Sequence, residues 1–400
     1  MGAHIVLAWE MGSELGHLAN FSALAQGLLA RGHRVTLVLK DLSRAERFVA
    51  GMPVTLLQGP GVPRQMGSAG QVRSLAAILS RHSFQSFDTL WSCAYSWRTL
   101  FALLQPDLVV LDYAPTAQLA LRGLGIPTLL TGFAFGAPPC DAPLRDLSPW
   151  LGAQDAAKSH AEQEQVLSLA NQWLQEQGEP PLRALSELFA ADRLALTQLP
   201  ELDPDSRIRL GDYVGPLQPA QEGRRVTWLT PARRRVLCYL KPGVPLTPLL
   251  LAELARQQCE VECFYPAPLP EAWQAWLTPT FRIHAQLLDL PQAMAGADLV
   301  VCHGGIGTVS SALLAACPML LVPLHTEQRG NAEQVVALGA GLYLSAESDE
   351  GAITHALDRL WQEANFAHAA REIAQRHAGG LGGVSRLLEW CDMLLGETPS

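Results

Sequence analysis

Charged side chains are scarce in this 400-residue chain: Asp, Glu, Lys and Arg make up only 17% of it, against roughly 25% in an average globular protein. Lys and Arg together number 29 and Asp and Glu 38, so the formal net charge is −9. Nucleic acids and anionic membranes attract proteins with a basic excess, which is missing here. We therefore expect no nucleic acid partner, and any anionic ligand must be held by a local site.

Long apolar runs and paired cysteines are missing as well. The sequence has no stretch of about 18 uncharged apolar residues, the length that a membrane-spanning helix needs. Its first Lys or Arg is Arg31, whereas a signal peptide opens with a basic segment. The eight cysteines lack the paired spacings of a zinc site. These features predict a cytoplasmic protein with reduced thiols, no integral membrane segment and no metal, and they leave the oligomeric state open.

What the chain does have is a regular alternation of short apolar runs and helical patterns, with 48% hydrophobic residues in all. The first half predicts strands at residues 4–9, 34–39, 108–111 and 127–130 and helices at residues 20–31, 71–104 and 154–177. The second half predicts strands at 236–240, 260–264, 299–302, 319–322 and 341–344 and helices at 248–257, from Thr308 and from Asn331. Strands and helices in alternation indicate crossover connections and parallel sheets.

Residues 216–235 separate the two halves and are rich in Pro, Gly and Arg, which indicates a linker. The fold class predicted is therefore α/β, with two Rossmann-like parallel-sheet domains that face a cleft. Ligands of such sheets bind beyond the carboxyl ends of the strands. Candidate site residues are accordingly those that directly follow strands.

The run HGGIGT at residues 303–308 follows one such strand and opens a helix. Glycines allow a ligand to approach the backbone closely, and a helix start offers unpaired N–H groups with a partial positive charge. The combination suits a phosphate, to which His303 and Thr308 could donate as well. The alternative is a tight turn that needs glycine only for its geometry, and spacing alone leaves both open.

Glu327 and Gln328 follow the next strand, so they are expected in a loop at the same sheet edge. A carboxylate and an amide side by side can accept from and donate to adjacent sugar hydroxyls. The alternative is a solvated loop and a helix N-terminus, where Glu and Gln are common.

Residues 299–341 resemble the donor-binding signature of the inverting UDP-glycosyltransferases of the two-domain GT-B fold, a family with plant, macrolide and glucuronosyl enzymes. The HGGIGT run, Pro318, Glu327-Gln328 and Asn331-Ala332 fall in register with it, and the segment YVGPL at 213–217 extends the likeness. The resemblance implies a nucleoside diphosphate sugar as co-substrate, without a further cofactor or a metal. It also implies that the diphosphate is held by His303, Gly304, Gly305, Gly307 and Thr308, and the hexose by Glu327 and Gln328.

The chain departs from the family where the nucleoside would bind. Plant members carry a stacking Trp shortly before the motif histidine, but residues 283–288 contain no aromatic side chain, and Ser311 stands where many members have a ribose-binding Glu. Leu287, Leu288 and Ser311 are assigned to the nucleoside region, and the choice between UDP and dTDP stays open. Lys241 replaces a Ser-rich loop and is either a point charge on the diphosphate or a solvated lysine.

Transfer to a hydroxyl requires a base, and histidine suits the task because its unperturbed pKa is about 6.5. His17 is expected in the loop between the first strand and the first helix, and Asp112 ends the strand LVVLD. Each alone could be structural. In the family the base histidine follows a glycine in this loop and its partner Asp ends the corresponding strand, as Gly16-His17 and Asp112 do. Asn20 departs from the family, which often has Pro there.

The resemblance also implies the domain layout. Residues 1–215 would form the N-terminal acceptor-binding domain, 216–235 the linker, 236–380 the C-terminal nucleotide-sugar-binding domain, and 381–400 a helix that packs back on the first domain. Phe133 and Phe135 are expected to line the acceptor pocket. The aromatic residues between 84 and 101 are interpreted mainly as helix core.

These features predict an inverting hexosyl transfer from a UDP or dTDP sugar to a hydroxyl of a small lipophilic or aromatic acceptor, with His17 as base and Asp112 behind it. Two alternatives remain at this point. One is another enzyme of the same architecture, such as a sugar-nucleotide epimerase or a cell-wall N-acetylglucosaminyl transferase. The other is a non-catalytic helper protein that keeps the fold and binds ligand without turnover.

Overall fold

The structure is a computed structural model, and it describes residues 2–12, 15–62, 72–153, 155–217, 223–229 and 233–396. The chain divides into two compact units. Unit 1 contains residues 1–220 and 381–400, and unit 2 contains residues 221–380. Of the linker expected at 216–235, residues 218–222 and 230–232 lie outside the described ranges, as do residues 397–400 of the C-terminal segment.

Unit 1 is built on a seven-stranded parallel sheet in the order β3-β2-β1-β4-β5-β6-β7. Its strands are His4–Trp9 (β1), Arg34–Leu39 (β2), Thr55–Gln58 (β3), Leu108–Asp112 (β4), Thr128–Gly132 (β5), Arg193–Leu196 (β6) and Asp212–Tyr213 (β7). Its helices before the linker are Leu15–Ala30 (α1), Glu46–Val49 (α2), Leu75–Leu79 (α3), Phe87–Leu104 (α4), Pro115–Leu121 (α5) and Ala156–Glu176 (α6). The central strands β1 and β4 are buried along their whole length, as apolar strands of a sheet covered on both faces should be.

Unit 2 has a six-stranded parallel sheet in the order β10-β9-β8-β11-β12-β13. Its strands are Arg235–Tyr239 (β8), Glu260–Phe264 (β9), Phe281–His284 (β10), Leu299–Cys302 (β11), Met319–Leu321 (β12) and Gly341–Tyr343 (β13). Its helices are Leu246–Arg256 (α7), Leu290–Met294 (α8), Ile306–Leu314 (α9), Thr326–Ala337 (α10), Glu350–Gln362 (α11) and Ala364–Arg376 (α12). The last helix of the chain, Gly383–Leu394 (α13), belongs to unit 1, where it packs against α1.

In each sheet the strand order changes direction at one point, between β1 and β4 in unit 1 and between β8 and β11 in unit 2. The loops that follow these strands leave the sheet on opposite sides, which opens a crevice at the carboxyl ends. His17 and Asp112 follow or end the first pair of strands, and Lys241 and His303 follow the second. The topology thus places the candidate residues of each unit at its switch point.

Three helix boundaries differ from the sequence-based expectation. Helix α1 begins at Leu15 and not at residue 20, because small and polar residues in its first turns hide the apolar period; His17 therefore lies in a helix and not in a loop. Helix α10 begins at Thr326, so Glu327 and Gln328 lie in its first turn. The long helix expected at 71–104 is two helices, because Ser86 accepts a hydrogen bond from the Thr89 amide and starts α4 anew; Gln71 lies outside the described residues.

Two further features concern the expected location. Over the described ranges, none of the helices combines the length and the apolar character needed to cross a bilayer. All eight cysteines are free thiols, and seven of them are buried. Burial raises the pKa of the Cys391 thiol to about 12, which makes this thiol a poor nucleophile.

Candidate functional site

The side chains of His17 and Asp112 form a buried pair in unit 1. His17 Nδ1 lies 2.9 Å from Asp112 Oδ2, and the two residues are only 4% and 1% exposed. Because a carboxylate only accepts, Nδ1 donates the hydrogen bond and Nε2 is the ring nitrogen with the lone pair. An imidazole held in this tautomer by a carboxylate is the arrangement of a general base.

The segments that follow β1 and β4, next to this pair, are joined to one another. The strands β1 and β4 are neighbours, with Trp9 opposite Asp112. Beyond the strands, the Met11 amide donates to the Tyr113 carbonyl at 3.0 Å. The Glu10 carboxylate accepts from the Thr116 and Ala117 amides at 2.9 and 3.3 Å. These bonds fix the start of the β1–α1 loop against the loop after Asp112.

Aromatic rings surround the His17 imidazole. Trp9 stacks on it with a centroid distance of 5.2 Å, Phe133 lies at 5.5 Å and Tyr113 at 6.5 Å. Tyr113 has a φ of +48°, which strains a non-glycine residue and turns the chain sharply after Asp112. The rings exclude water from the imidazole, so the electrostatic interaction with Asp112 is stronger than in solution.

Phe135 belongs to an adjoining apolar recess of unit 1. Its ring meets Tyr113 edge-on at 6.4 Å. The recess has an empty volume of about 230 Å³, part of it open to solvent, and is lined by Leu75, Ala134, Phe135, Pro138, Leu144, Arg145 and Leu147. Phe133 thus contacts the candidate base, and Phe135 lines the recess. Their part in an acceptor pocket stays a prediction.

On the α4 helix Trp97 is core, but Trp91 and Tyr95 stack on each other at the surface, which differs from the interpretation of these aromatic residues as helix core.

Two glycines are required for the His17–Asp112 geometry, and sequence reasoning did not single them out. Gly12 has a φ of +88°, and a Cβ at its α-carbon would lie 2.7 Å from His17 Nε2. Gly132 has a φ of +98°, and a Cβ there would lie 2.2 Å from Asp112 Oδ1. Gly132 ends β5 and directly precedes Phe133, which the sequence analysis assigns to the acceptor pocket. This adjacency is the sequence feature that could have indicated Gly132.

In unit 2 the glycine run connects β11 to α9. Gly304 adopts a φ of +85°, and its carbonyl accepts a hydrogen bond from Asn331 Nδ2 at 2.9 Å. A Cβ at Gly304 would lie 3.0 Å from the Gln328 carbonyl oxygen, so only glycine fits without a shift. Helix α10 therefore holds the glycine loop in place through Asn331, a residue that was noted only for its register in the motif.

His303 is buried at 4% exposure and bonds to the backbone of two neighbouring loops. Its Nδ1 donates to the Val322 carbonyl at 2.9 Å, and its Nε2 accepts the Lys241 N–H at 2.8 Å. The ring thereby links the ends of β8, β11 and β12 in the Nδ1–H tautomer. For the predicted contact with a diphosphate, His303 Nε2 would have to be protonated. It would then lose the hydrogen bond that it accepts from the Lys241 N–H.

The exposed side of the α9 N-terminus is formed by small and hydroxyl residues. Gly305, Gly307, Thr308 and Ser311 are all half-buried there. Glu327 is half-buried too, whereas Gln328 is 2% exposed and its Oε1 accepts the Leu324 N–H at 2.9 Å. Gln328 therefore bonds within its own loop, and its contact with a sugar stays a prediction.

The predicted nucleoside segment pairs with residues of the expected linker. The Leu287 carbonyl accepts the Arg224 amide at 2.8 Å, and Leu288 is 5% exposed. At the end of β10, His284 Nε2 contacts Glu262 Oε2 at 2.6 Å. The segment is thus held by backbone and ionic contacts. Across the described ranges, no three His, Cys, Asp or Glu side chains come together in a way that could hold a metal ion.

Comparison with known proteins shows what the chain resembles. Residues 277–380, which carry the glycine loop and α10, match the glycosyltransferase family 28 C-terminal domain. Zeaxanthin glucosyltransferase of Pseudescherichia vulneris is 25% identical over 403 aligned residues, covering 92% of this chain and 93% of that protein. Elloramycin glycosyltransferase ElmGT of Streptomyces olivaceus is 28% identical over 390 residues, covering 90% of each.

Among solved structures, the calicheamicin glycosyltransferase CalG4 superposes with a TM-score of 0.75 at 21% identity and covers the whole of both chains. The likeness confirms the predicted GT-B fold. With the two curated relatives and the family 28 domain, it also confirms the resemblance found in the sequence. The chain has the GT-B fold, resembles the UDP-glycosyltransferases and is a glycosyltransferase.

Proposed function

We propose that the enzyme transfers a hexose from a UDP or dTDP sugar to a hydroxyl group of a small lipophilic or aromatic acceptor, with inversion at the anomeric carbon. Two of its curated relatives are named for zeaxanthin and elloramycin, which supports a small-molecule acceptor. The observation that carries the proposal is the 2.9 Å contact between His17 Nδ1 and Asp112 Oδ2 in a buried, aromatic surrounding.

In the proposed reaction His17 Nε2 takes the proton of the acceptor hydroxyl while the acceptor oxygen attacks the anomeric carbon. The bond between this carbon and the phosphate oxygen breaks, and the diphosphate leaves with the electron pair. The imidazole becomes positively charged, and the Asp112 carboxylate stabilises that charge through Nδ1–H. Because Asp112 is buried, its charge acts on the ring with little screening by water.

The leaving group needs compensation for its negative charge. We assign this role to the amides at the start of α9, from Gly305 to Gly307, with the Thr308 hydroxyl and the Lys241 side chain. Gly304 allows the close approach, and His303 holds the Lys241 loop in place. Glu327 and the Gln328 amide are proposed to hold hexose hydroxyls, and Leu287, Leu288 and Ser311 to face the nucleoside. No metal is part of the proposal.

The proposal is tested by incubating the protein with UDP-glucose, UDP-N-acetylglucosamine or dTDP-glucose and a panel of phenols that includes 4-methylumbelliferone. We expect a glycoside whose anomeric proton coupling shows a β-linkage from the α-linked donor. His17→Ala and Asp112→Asn should lower kcat by about 10²–10⁴-fold, the range of general base catalysis and tautomer control. His368→Ala, at an exposed ion pair with Glu372, is the matched control and should leave kcat unchanged.

The alternatives give different outcomes in the same assay. Product with retained anomeric configuration, or full activity of His17→Ala, would rule out the proposed mechanism. Conversion of a sugar nucleotide into its epimer without an acceptor would identify an epimerase. Nucleotide binding with no turnover for any donor would identify the non-catalytic helper.

A further inference from the structure

We infer that Asn20 and Thr197 are positioning residues for the His17–Asp112 pair, an inference that rests on the proposed function of that pair. The basis is a chain of hydrogen bonds that starts on the same helix as His17 and ends behind the Asp112 carboxylate. In this chain the step to the catalytic pair is made by Gly132, and not by a hydrogen bond from Asn20 or Thr197 to the imidazole. Asn20 and Thr197 thus act on Asp112 through the backbone of Gly132.

Asn20 lies three residues after His17 on α1, so both side chains project from the same face of the helix. Its Nδ2 donates to Thr197 Oγ1 at 3.0 Å, although the two residues are 177 positions apart in the sequence. Asn20 is 7% exposed and Thr197 is 1% exposed. A buried amide is costly without a partner, so this contact fixes the rotation of α1 against the sheet.

Thr197 follows β6 and bonds twice to the last residue of β5. Its amide and its hydroxyl donate to the Gly132 carbonyl at 2.8 and 3.1 Å. The Thr197 hydroxyl accepts a hydrogen bond from Asn20 and donates one to the Gly132 carbonyl, so it connects the two residues. The position of the Gly132 backbone is therefore coupled to the position of α1.

Gly132 in turn lies directly behind the Asp112 carboxylate, as the 2.2 Å distance from its ideal Cβ position to Oδ1 shows. Asp112 Oδ1 is buried and has no hydrogen-bond partner among the described residues, so on that side the Gly132 backbone, and not a donor, limits where the carboxylate can move. The contacts close a ring: His17 to Asp112, Asp112 to Gly132, Gly132 to Thr197, Thr197 to Asn20, and Asn20 back to His17 through α1. Both partners of the pair are thus set by one network.

In this network a side-chain hydrogen bond, from Asn20 to Thr197, fixes α1. Loss of the bond should let α1 rotate by a small amount. Such a displacement lengthens the His17–Asp112 contact and misplaces Nε2 without removing any catalytic group.

The test compares Asn20→Ala, Thr197→Val and the double variant with the wild type, using the active donor and 4-methylumbelliferone. Each single variant should lower kcat about tenfold with an unchanged donor KM, because the base is misplaced but the nucleotide site is not touched. The double variant should be no slower than either single variant, since both break the same chain of bonds. Thr197→Ser keeps the hydroxyl and should restore wild-type kcat.

Thr131→Val is the matched control. The Thr131 hydroxyl is buried and donates to the Ala195 carbonyl at 2.8 Å, so its loss removes a similar bond between the same two strands without any link to α1. If Thr131→Val lowers kcat as much as Thr197→Val, or if Thr197→Ser is as slow as Thr197→Val, a general loss of packing explains the effect and the inference is wrong.

A spectroscopic measurement separates this inference from the proposed function. In protein labelled with ¹⁵N-histidine, with His17 assigned from the spectrum of His17→Gln, the ring nitrogens report tautomer and pKa. Asn20→Ala should lower the pKa of His17 relative to the wild type, because a longer contact with Asp112 stabilises the imidazolium less. If the His17 titration is unchanged in Asn20→Ala, the positioning role is wrong, even if no turnover is found. If the titration shifts but His17→Ala keeps full activity, only the proposal that His17 is the base is wrong.

Discussion

The α-carbon of Gly132 lies so close to the Asp112 carboxylate that a methyl group on it would stand 2.2 Å from Oδ1. Gly132 also has a φ of +98°, a backbone conformation that L-residues with a side chain rarely adopt. The end of β5 therefore requires glycine for two separate reasons. One is backbone strain, and the other is the space that the carboxylate needs.

Gly132→Ala should separate these two effects when it is compared with Gly125→Ala. Gly125 has a φ of +66° and open space around its α-carbon, so alanine there adds only strain, about 1–2 kcal/mol. We expect both variants to lower Tm. Only Gly132→Ala should also lower kcat, by at least tenfold, because Asp112 is pushed against His17. Equal kcat values for the two variants would show that the carboxylate has room to move.

A substitution at Gly12 tests the role of His17 Nε2 in the same way. A Cβ at position 12 would lie 2.7 Å from His17 Nε2, the atom that is proposed to take the acceptor proton. Gly12→Ala should therefore abolish measurable transfer while the protein stays folded. Gly32→Ala is the control, because Gly32 has a similar φ of +84° with nothing within 4 Å of the added carbon. The measurement is the initial rate together with the thermal melting curve, and an active Gly12→Ala would contradict Nε2 as the base.

The sequence was sufficient to predict the α/β architecture, because buried parallel strands are short apolar runs that alternate with helices. It also singled out His17 and Asp112, because Asp112 ends a strand, His17 follows one, and both match positions of the family that the chain resembles; the structure brings the two side chains within 2.9 Å. The first turns of α1 were missed. Gly16 and Asn20 interrupt the apolar period there, and Asn20 is buried only because its partner Thr197 arrives from a distant part of the chain.

The same limit applies to His303 in unit 2. Its place after β11 was readable from the HGGIGT run, but its hydrogen-bond partners were not. They are the backbone groups of Lys241 and Val322, which belong to two other strand–helix loops. Their approach is a consequence of tertiary packing, so a local pattern could not predict that both ring nitrogens would be occupied.

His303→Ala should consequently destabilise the protein even without nucleotide. It removes the hydrogen bonds to the Lys241 N–H and to the buried Val322 carbonyl, and the loss at the carbonyl alone costs about 1–3 kcal/mol. We expect Tm to fall by about 5–10 °C. Thr308→Val is the comparison, since Thr308 is half-buried and should weaken nucleotide binding while Tm of the free protein stays the same. A normal Tm with lost nucleotide affinity in His303→Ala would instead support direct contact with the diphosphate.

Glu10 gives a prediction for the pH dependence of stability. Burial raises the pKa of this carboxyl to about 7, although the Thr116 and Ala117 amides and Ser83 donate to it. An acid with a pKa raised in the folded state binds its proton more tightly there than in the unfolded chain. Its favourable contribution is therefore complete below about pH 4.5 and is lost as the pH rises through about 7.

Glu10→Gln should remove this dependence, because glutamine stays neutral and its carbonyl oxygen can still accept from the two amides. Relative to the wild type, the variant should gain stability between pH 5 and 8, by about 3 kcal/mol at most. Urea unfolding at several pH values measures the difference. Glu187→Gln is the control, because a hydrogen bond from the Arg183 amide lowers the pKa of Glu187. The stabilising effect of Glu187 is therefore complete above the pKa of the unfolded chain and is lost only on acidification. A difference between wild type and Glu10→Gln that does not change over this range would mean that Glu10 is ionised throughout, and that its three donors outweigh its burial.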